Sequence, residues 1–129
     1  MGMHRLLRAA ALWLPPLLLM ALIFALSATP GDGGDHGLAY VLSRKIGHFV
    51  GYALLFGLWW RALRTRLSPR TAAGAALAIS VAYAVSDELH QLTVDGRTGT
   101  PRDVVIDTAG AAAAAAAALI LRRRVQSPA

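Results

Sequence analysis

The sequence contains no cysteine, which excludes a disulfide framework and any thiolate metal site. Charge is sparse at 16% of residues, and acid is the scarcer sign, with seven Asp and Glu against 13 Lys and Arg. A net charge of +6 would suit a nucleic-acid partner if it formed a basic face. The basic residues fall between apolar runs instead, so nucleic acid is excluded as a partner. The H-E-x-x-H spacing of a helical zinc site is absent, and neither a metal nor a cofactor is expected. No internal repeat is present.

What is abundant is apolar. The hydrophobic class makes up 56% of 129 residues, more than the roughly 45–50% of an ordinary soluble domain. A helix needs about 20 mostly apolar residues to cross the ~30 Å hydrocarbon core. Four segments approach that length: Ala9 to Ser27, Ile46 to Trp60, Thr71 to Val85 and Val104 to Leu121. With flanking residues they predict helices over about 9–27, 45–63, 71–90 and 103–121. The expected fold is a single all-α domain, an integral membrane bundle of four transmembrane helices with short loops. Pro15 and Pro16 should kink the first helix and free carbonyls that neighbours must satisfy. The first segment also has the look of a secretory signal peptide, whose removal would leave the other helices as they are. Leu38 to Leu42 suit a short interfacial helix. Gly47 and Gly51 form a G-x-x-x-G suited to close internal packing. The alanine run of the last helix suits packing against neighbours more than facing lipid. Trp59 and Trp60 fit an aromatic belt, and His4 and His36 fit solvent-exposed loops.

Lys and Arg favour the cytoplasmic side of a membrane. Arg5, Arg8, Arg61, Arg64, Arg66, Arg70 and Arg122 to Arg124 would lie on one side, nine of the 13 basic residues. Arg44, Lys45, Arg97 and Arg102 would lie on the other, with all seven acids: Asp32, Asp35, Asp87, Glu88, Asp95, Asp103 and Asp107. Both termini are therefore expected in the cytoplasm, and the stretch from Ser86 to Gly110 outside. At 1.5 Å per residue, Asp107 lies about 22 Å from Arg122, inside the outer edge of the hydrocarbon. Asp103 and Gly110 share its face. Lys45, His48, Phe49 and Tyr52 share one face, as do Tyr83, Asp87, His90 and Gln91. Unpaired charge at depth is costly. These faces should turn toward each other, with Lys45, Arg97 and Arg102 paired to Asp87, Glu88, Asp103 and Asp107.

Three stretches now carry a resemblance. RKIGHFVGYALLFG resembles the K-x-x-H-F-x-x-Y motif of VanZ-like membrane proteins. YAVSDELHQLTVDGRTGTPRDVVIDTAG resembles their S-D-E-x-H-Q, G-R, R-D-x-x-x-D and G series. FALSATPGD resembles their F-x-L-S-x-x-P-G. Thr93-Val94-Asp95 departs from the family, which often has an aromatic residue and a proline before G-R. The resemblance implies a multi-pass protein of the bacterial inner membrane and cell envelope. It also implies a link to teicoplanin resistance, and it supplies no reaction.

The residues leave several functions open. Lys45, Arg97 and Arg102 suit an anionic head group, because guanidinium holds phosphate in a bidentate way. His48, Asp87, Glu88, His90, Asp103 and Asp107 would orient those cations or transfer protons, and Tyr52 and Gln91 would supply hydrogen bonds. The partner would be an anionic envelope lipid or lipid-linked precursor. A membrane-embedded hydrolase or transferase acting on a phosphate-linked lipid would use the same acids and histidines as catalytic groups, with Ser86 as a conceivable nucleophile. A purely structural polar network would use them as helix clamps. Transport fits less well, since a transport carboxylate usually sits near the midplane.

Overall fold

The computed structural model describes residues 2–32, 34 and 36–126. Asp35 and residues 127–129 lie outside them. The described residues form four helices: α1 (Gly2–Ser27), α2 (Leu38–Leu63), α3 (Pro69–Gln91) and α4 (Pro101–Gln126). No strand occurs among them. α1, α3 and α4 are long and apolar enough to cross a membrane. α2 is as long as α1 but is not among them: its apolar stretch from Ile46 to Trp60 is bounded by Arg44, Lys45 and Arg61 and contains His48. The segment Leu38 to Leu42, expected as a separate interfacial helix, is the continuous first turn of α2.

Local sequence sets the helix starts. Ser68 caps α3 by accepting from the Thr71 N–H at 3.3 Å, and Pro69 takes the first position, where its missing N–H costs nothing. α4 also begins on a proline, and Asp103 lies in its positively polarised first turn, where it accepts from the Thr100 hydroxyl at 3.1 Å. α2 packs against all three other helices, whereas α1 touches α2 and α3 and not α4. Chain direction alternates, so α2 and α4 run parallel. Every described acidic residue falls at the end where α2 and α4 begin. The opposite end carries Arg61, Arg64, Arg66 and Arg70 around the short α2–α3 turn, with Arg122 to Arg124 at the end of α4.

The core is thin and made of small residues. Phe56 packs with Ala73, Ala76, Ala111 and Ala115, and Tyr52 and Leu55 pack with Ala84. Only one stripe of the α4 alanines is buried, and most of the others are exposed, contrary to expectation. Alanine's small size lets the stripe approach α2 and α3 but gives the remaining faces nothing to pack. Exposed leucines cover α1, including Leu14, Leu17, Leu18 and Leu22, which suits contact with lipid chains.

Trp59 meets Trp13 edge-on at 6.2 Å, and the Trp60 indole donates to the Pro69 carbonyl at 3.1 Å, both near the arginine-rich end of the bundle. His4 belongs to α1. His36 lies tilted against Tyr40, with ring centroids 4.1 Å apart, and meets Asp32 at 2.7 Å.

α1 continues through Pro15 and Pro16. Pro15 has no N–H to offer the Ala11 carbonyl, and Arg61 of α2 donates to that carbonyl instead. Arg61→Ala should therefore lower stability by about 1 kcal/mol. In a Pro15→Ala background the carbonyl regains a helical donor, and the same substitution should cost almost nothing. Thermal unfolding of the four proteins in detergent checks this. Equal costs in the two backgrounds would reject the proline as the reason for the contact.

Candidate functional site

The polar end is tied together by the two loops before it is tied by side chains. The Gly31 N–H donates to the Asp95 carbonyl at 3.1 Å. Gly96 adopts φ +71° beside Gly31, and a Cβ at either position would strike the other's backbone. The next residue, Arg97, donates to the Thr29 and Leu26 carbonyls at 2.8 and 3.0 Å. α1 has no basic residue in its last turn, so Arg97 supplies the cation and donors that its carbonyl end lacks. Arg97 was expected to pair with a carboxylate. It meets backbone oxygen instead, because the glycine contact seats its loop over the end of α1.

Below this lid, α2 and α4 form two parallel rungs. The Lys45 ammonium donates to Asp103 Oδ1 at 3.1 Å. One turn deeper, His48 Nδ1 lies 3.1 Å from Asp107 Oδ1. Lys45 and Asp103 are partly exposed, whereas the Asp107 side chain is only 3% exposed. Spacings of three on α2 and four on α4 both equal about one helical turn, which keeps the rungs in register. Gly110 lies just below, against the Phe49 carbonyl, and lets the two backbones meet.

α3 contributes a third layer. Gln91 donates to Asp87 Oδ2 at 3.0 Å and to the Ser27 hydroxyl at 3.4 Å. Asp87, Glu88, Gln91 and Asp107 are all buried. Asp87 Oδ1, Glu88 Oε1 and the Tyr52 hydroxyl are buried without a hydrogen-bond partner. Tyr83 reaches the Met20 carbonyl of α1. His90 was placed with the polar cluster, yet its ring stacks on Phe24 of α1 at 4.2 Å. Among the described residues, no three His, Asp or Glu side chains are grouped to hold a metal ion.

A cleft of about 550 Å³ opens over the rungs, lined by Lys45, His48, Gln91, Arg97, Arg102, Asp103 and Asp107. Tyr40 and Arg44 also line it, and neither was singled out in sequence. Arg44 stands beside Lys45 at the start of α2, one position off the expected polar face. Four cations and two carboxylates thus face one space, a surplus of two positive charges before His48 is counted. Lys45 is matched by Asp103. Arg44 and Arg102 make no ion pair among the described residues, although Arg102 was expected to. Partial burial, and then the like charge of Arg44, lowers the Arg97 pKa from its ordinary value. Glu88, Asp87 and His90 do not line the cleft, and Ser86 is exposed on α3 away from it. Tyr52 lines a second, adjoining groove with His48.

A family model described as VanZ/LLP1 matches residues 12–122. No curated protein matches the chain. No solved structure matches it either. The matched span runs from α1 through α4 and includes both α2–α4 rungs, the buried Asp87–Gln91 pair and the glycine contact between the loops: the chain belongs to the VanZ/LLP1 family.

Proposed function

We propose that this membrane protein binds the anionic head group of a lipid or lipid-linked envelope precursor in the cleft above the two rungs. The observation that carries this reading is the cationic surplus, with Arg44 and Arg102 free of carboxylate partners among the described residues. Arg44 and Arg102 line one cleft, and a phosphate between them can accept from both guanidinium groups. The three rung and layer carboxylates sit deeper and hold the frame: Asp103 orients Lys45, Asp107 orients His48, and Asp87 orients Gln91.

In this reading α2 crosses the bacterial inner membrane with the other three helices, its polar residues turned inward. The arginine-rich end faces the cytoplasm by the positive-inside rule, and the cleft faces outward, toward envelope ligands. A change in teicoplanin susceptibility on deletion or overexpression is the expected cellular consequence, read as an altered inhibitory concentration.

Native mass spectrometry of the protein, purified gently from bacterial membranes, tests the binding. The wild type should retain phosphatidylglycerol or another anionic lipid. Arg44→Ala/Arg102→Ala should lose it with an unchanged melting temperature, since neither guanidinium holds a carboxylate among the described residues. A variant that keeps its lipid would reject the cleft as the head-group site.

One observation favours catalysis as a second reading. A histidine that lines the cleft and is oriented by a buried carboxylate has the arrangement of a general base and its orienting partner. Such an enzyme would convert a retained phosphate-linked lipid, and turnover that survives in a folded His48→Ala protein would reject this reading.

A further inference from the structure

The cleft does not end at the polar rungs. A groove of about 400 Å³ runs between α1 and α2, lined by Ile23, Leu26 and Ser27 on one side and Gly47, Gly51 and Tyr52 on the other. Tyr40, Arg44, His48 and Arg97 line both spaces, so cleft and groove are continuous. From the sequence, Gly47 and Gly51 should bring two helices into contact. Instead, a Cβ at either position would meet nothing within 4 Å. The missing side chains leave a channel where an ordinary helix would be filled.

We infer that this groove holds one acyl or prenyl chain of the lipid whose anionic head group occupies the cleft. The inference rests on the head-group reading above and adds where the chain goes. Two observations specify the occupant. The groove is mostly apolar, lined by Ile23, Leu26, Gly47 and Gly51, and cationic where Arg44 and Arg97 join it to the cleft, which is the polarity of an anionic lipid. From Arg44 to Tyr52 it follows about 12 Å of helix. That approaches half of the ~30 Å hydrocarbon thickness, the depth of one leaflet. α1 packs less extensively against α2 and α3 than those helices pack against α4, so a single chain can enter from the side of the bundle while the head group enters from the end.

The test uses the full chain in phosphatidylcholine nanodiscs with phosphatidylglycerol that carries a diazirine in one acyl chain. After illumination, adducts are mapped by mass spectrometry. They should fall on residues 23–27 and 47–52, and unlabelled phosphatidylglycerol should compete them away while added phosphatidylcholine should not. Gly47→Leu/Gly51→Leu fills the groove and should lose these adducts. Gly57→Leu is the control, because Gly57 is equally open but lies outside the groove. It should label as the wild type does. Melting temperatures confirm that the variants fold. Adducts spread over the exposed leucines of α1, or unchanged in the filled variant, would overturn the chain site. Retention of phosphatidylglycerol in the native spectrum would still leave the head-group site standing. Disulfide cross-linking of two copies through a single Gly51→Cys substitution, in a chain with no native cysteine, would assign the groove to a protein interface and overturn the inference. A wild type that retains no anionic lipid would overturn head-group site and chain site together.

Discussion

Replacing Gly110 with alanine will destabilise the protein by roughly 1–3 kcal/mol or more, the cost of forcing atoms into a packed contact. The sign is what makes the result informative. Alanine is the better helix former, and Gly→Ala inside a helix normally stabilises by about 1 kcal/mol. At Gly57, where a Cβ meets nothing within 4 Å, that gain should appear. At Gly110 the new methyl would strike the Phe49 carbonyl, and backbone cannot step aside as a flexible side chain can. α2 and α4 must separate, and the His48–Asp107 rung one turn above must lengthen. Thermal or denaturant unfolding of Gly57→Ala and Gly110→Ala in the same detergent should move the midpoint in opposite directions. Two shifts of the same sign would show that α2 and α4 do not cross at Gly110.

The second large effect is an asymmetry within that rung. His48→Ala should cost about 3–5 kcal/mol, because it strips a buried carboxylate of its partner. The carboxylate left behind also has Asp87 and Asp103 as negative neighbours. Asp107→Asn should cost closer to 1 kcal/mol, since the amide oxygen still accepts from the imidazole and one negative charge leaves a crowded site. Combining the two should give a protein more stable than His48→Ala alone, because the uncompensated charge is gone. Unfolding midpoints of the three variants decide this. An Asp107→Asn protein less stable than His48→Ala would mean that the carboxylate, not its partner, holds the helices, and the rung would need another account.

Function and stability divide between residues in a way that these variants exploit. Lys45, Asp103, His48 and Asp107 are already satisfied by one another, so changing them perturbs the frame first. Arg44 and Arg102 hold no ion pair among the described residues, so changing them should perturb the ligand first. Binding assays on frame residues alone would confuse loss of fold with loss of site.

The amino-acid sequence by itself determined the helical class and the division of charge between the two ends. Apolar runs punctuated by Pro, Gly and Arg leave few other arrangements, and acids confined to three stretches must gather at one end once the helices alternate. Spacing also brought Lys45 and His48, and Asp103 and Asp107, onto shared faces. What it could not decide was which neighbour each face meets, since helical periodicity gives the angle between residues but not the rotation of the helix in the bundle. That rotation turned His90 onto Phe24, opened Gly47 and Gly51 into a groove and brought Arg44 over the cleft. The same G-x-x-x-G pattern suits a tight crossing or an empty channel, because what makes glycine useful in both is only the volume it lacks. Arg97 reaches the end of α1 through a glycine contact between two loops far apart in the chain. Only the tertiary structure holds that information, because the contact belongs to neither loop alone.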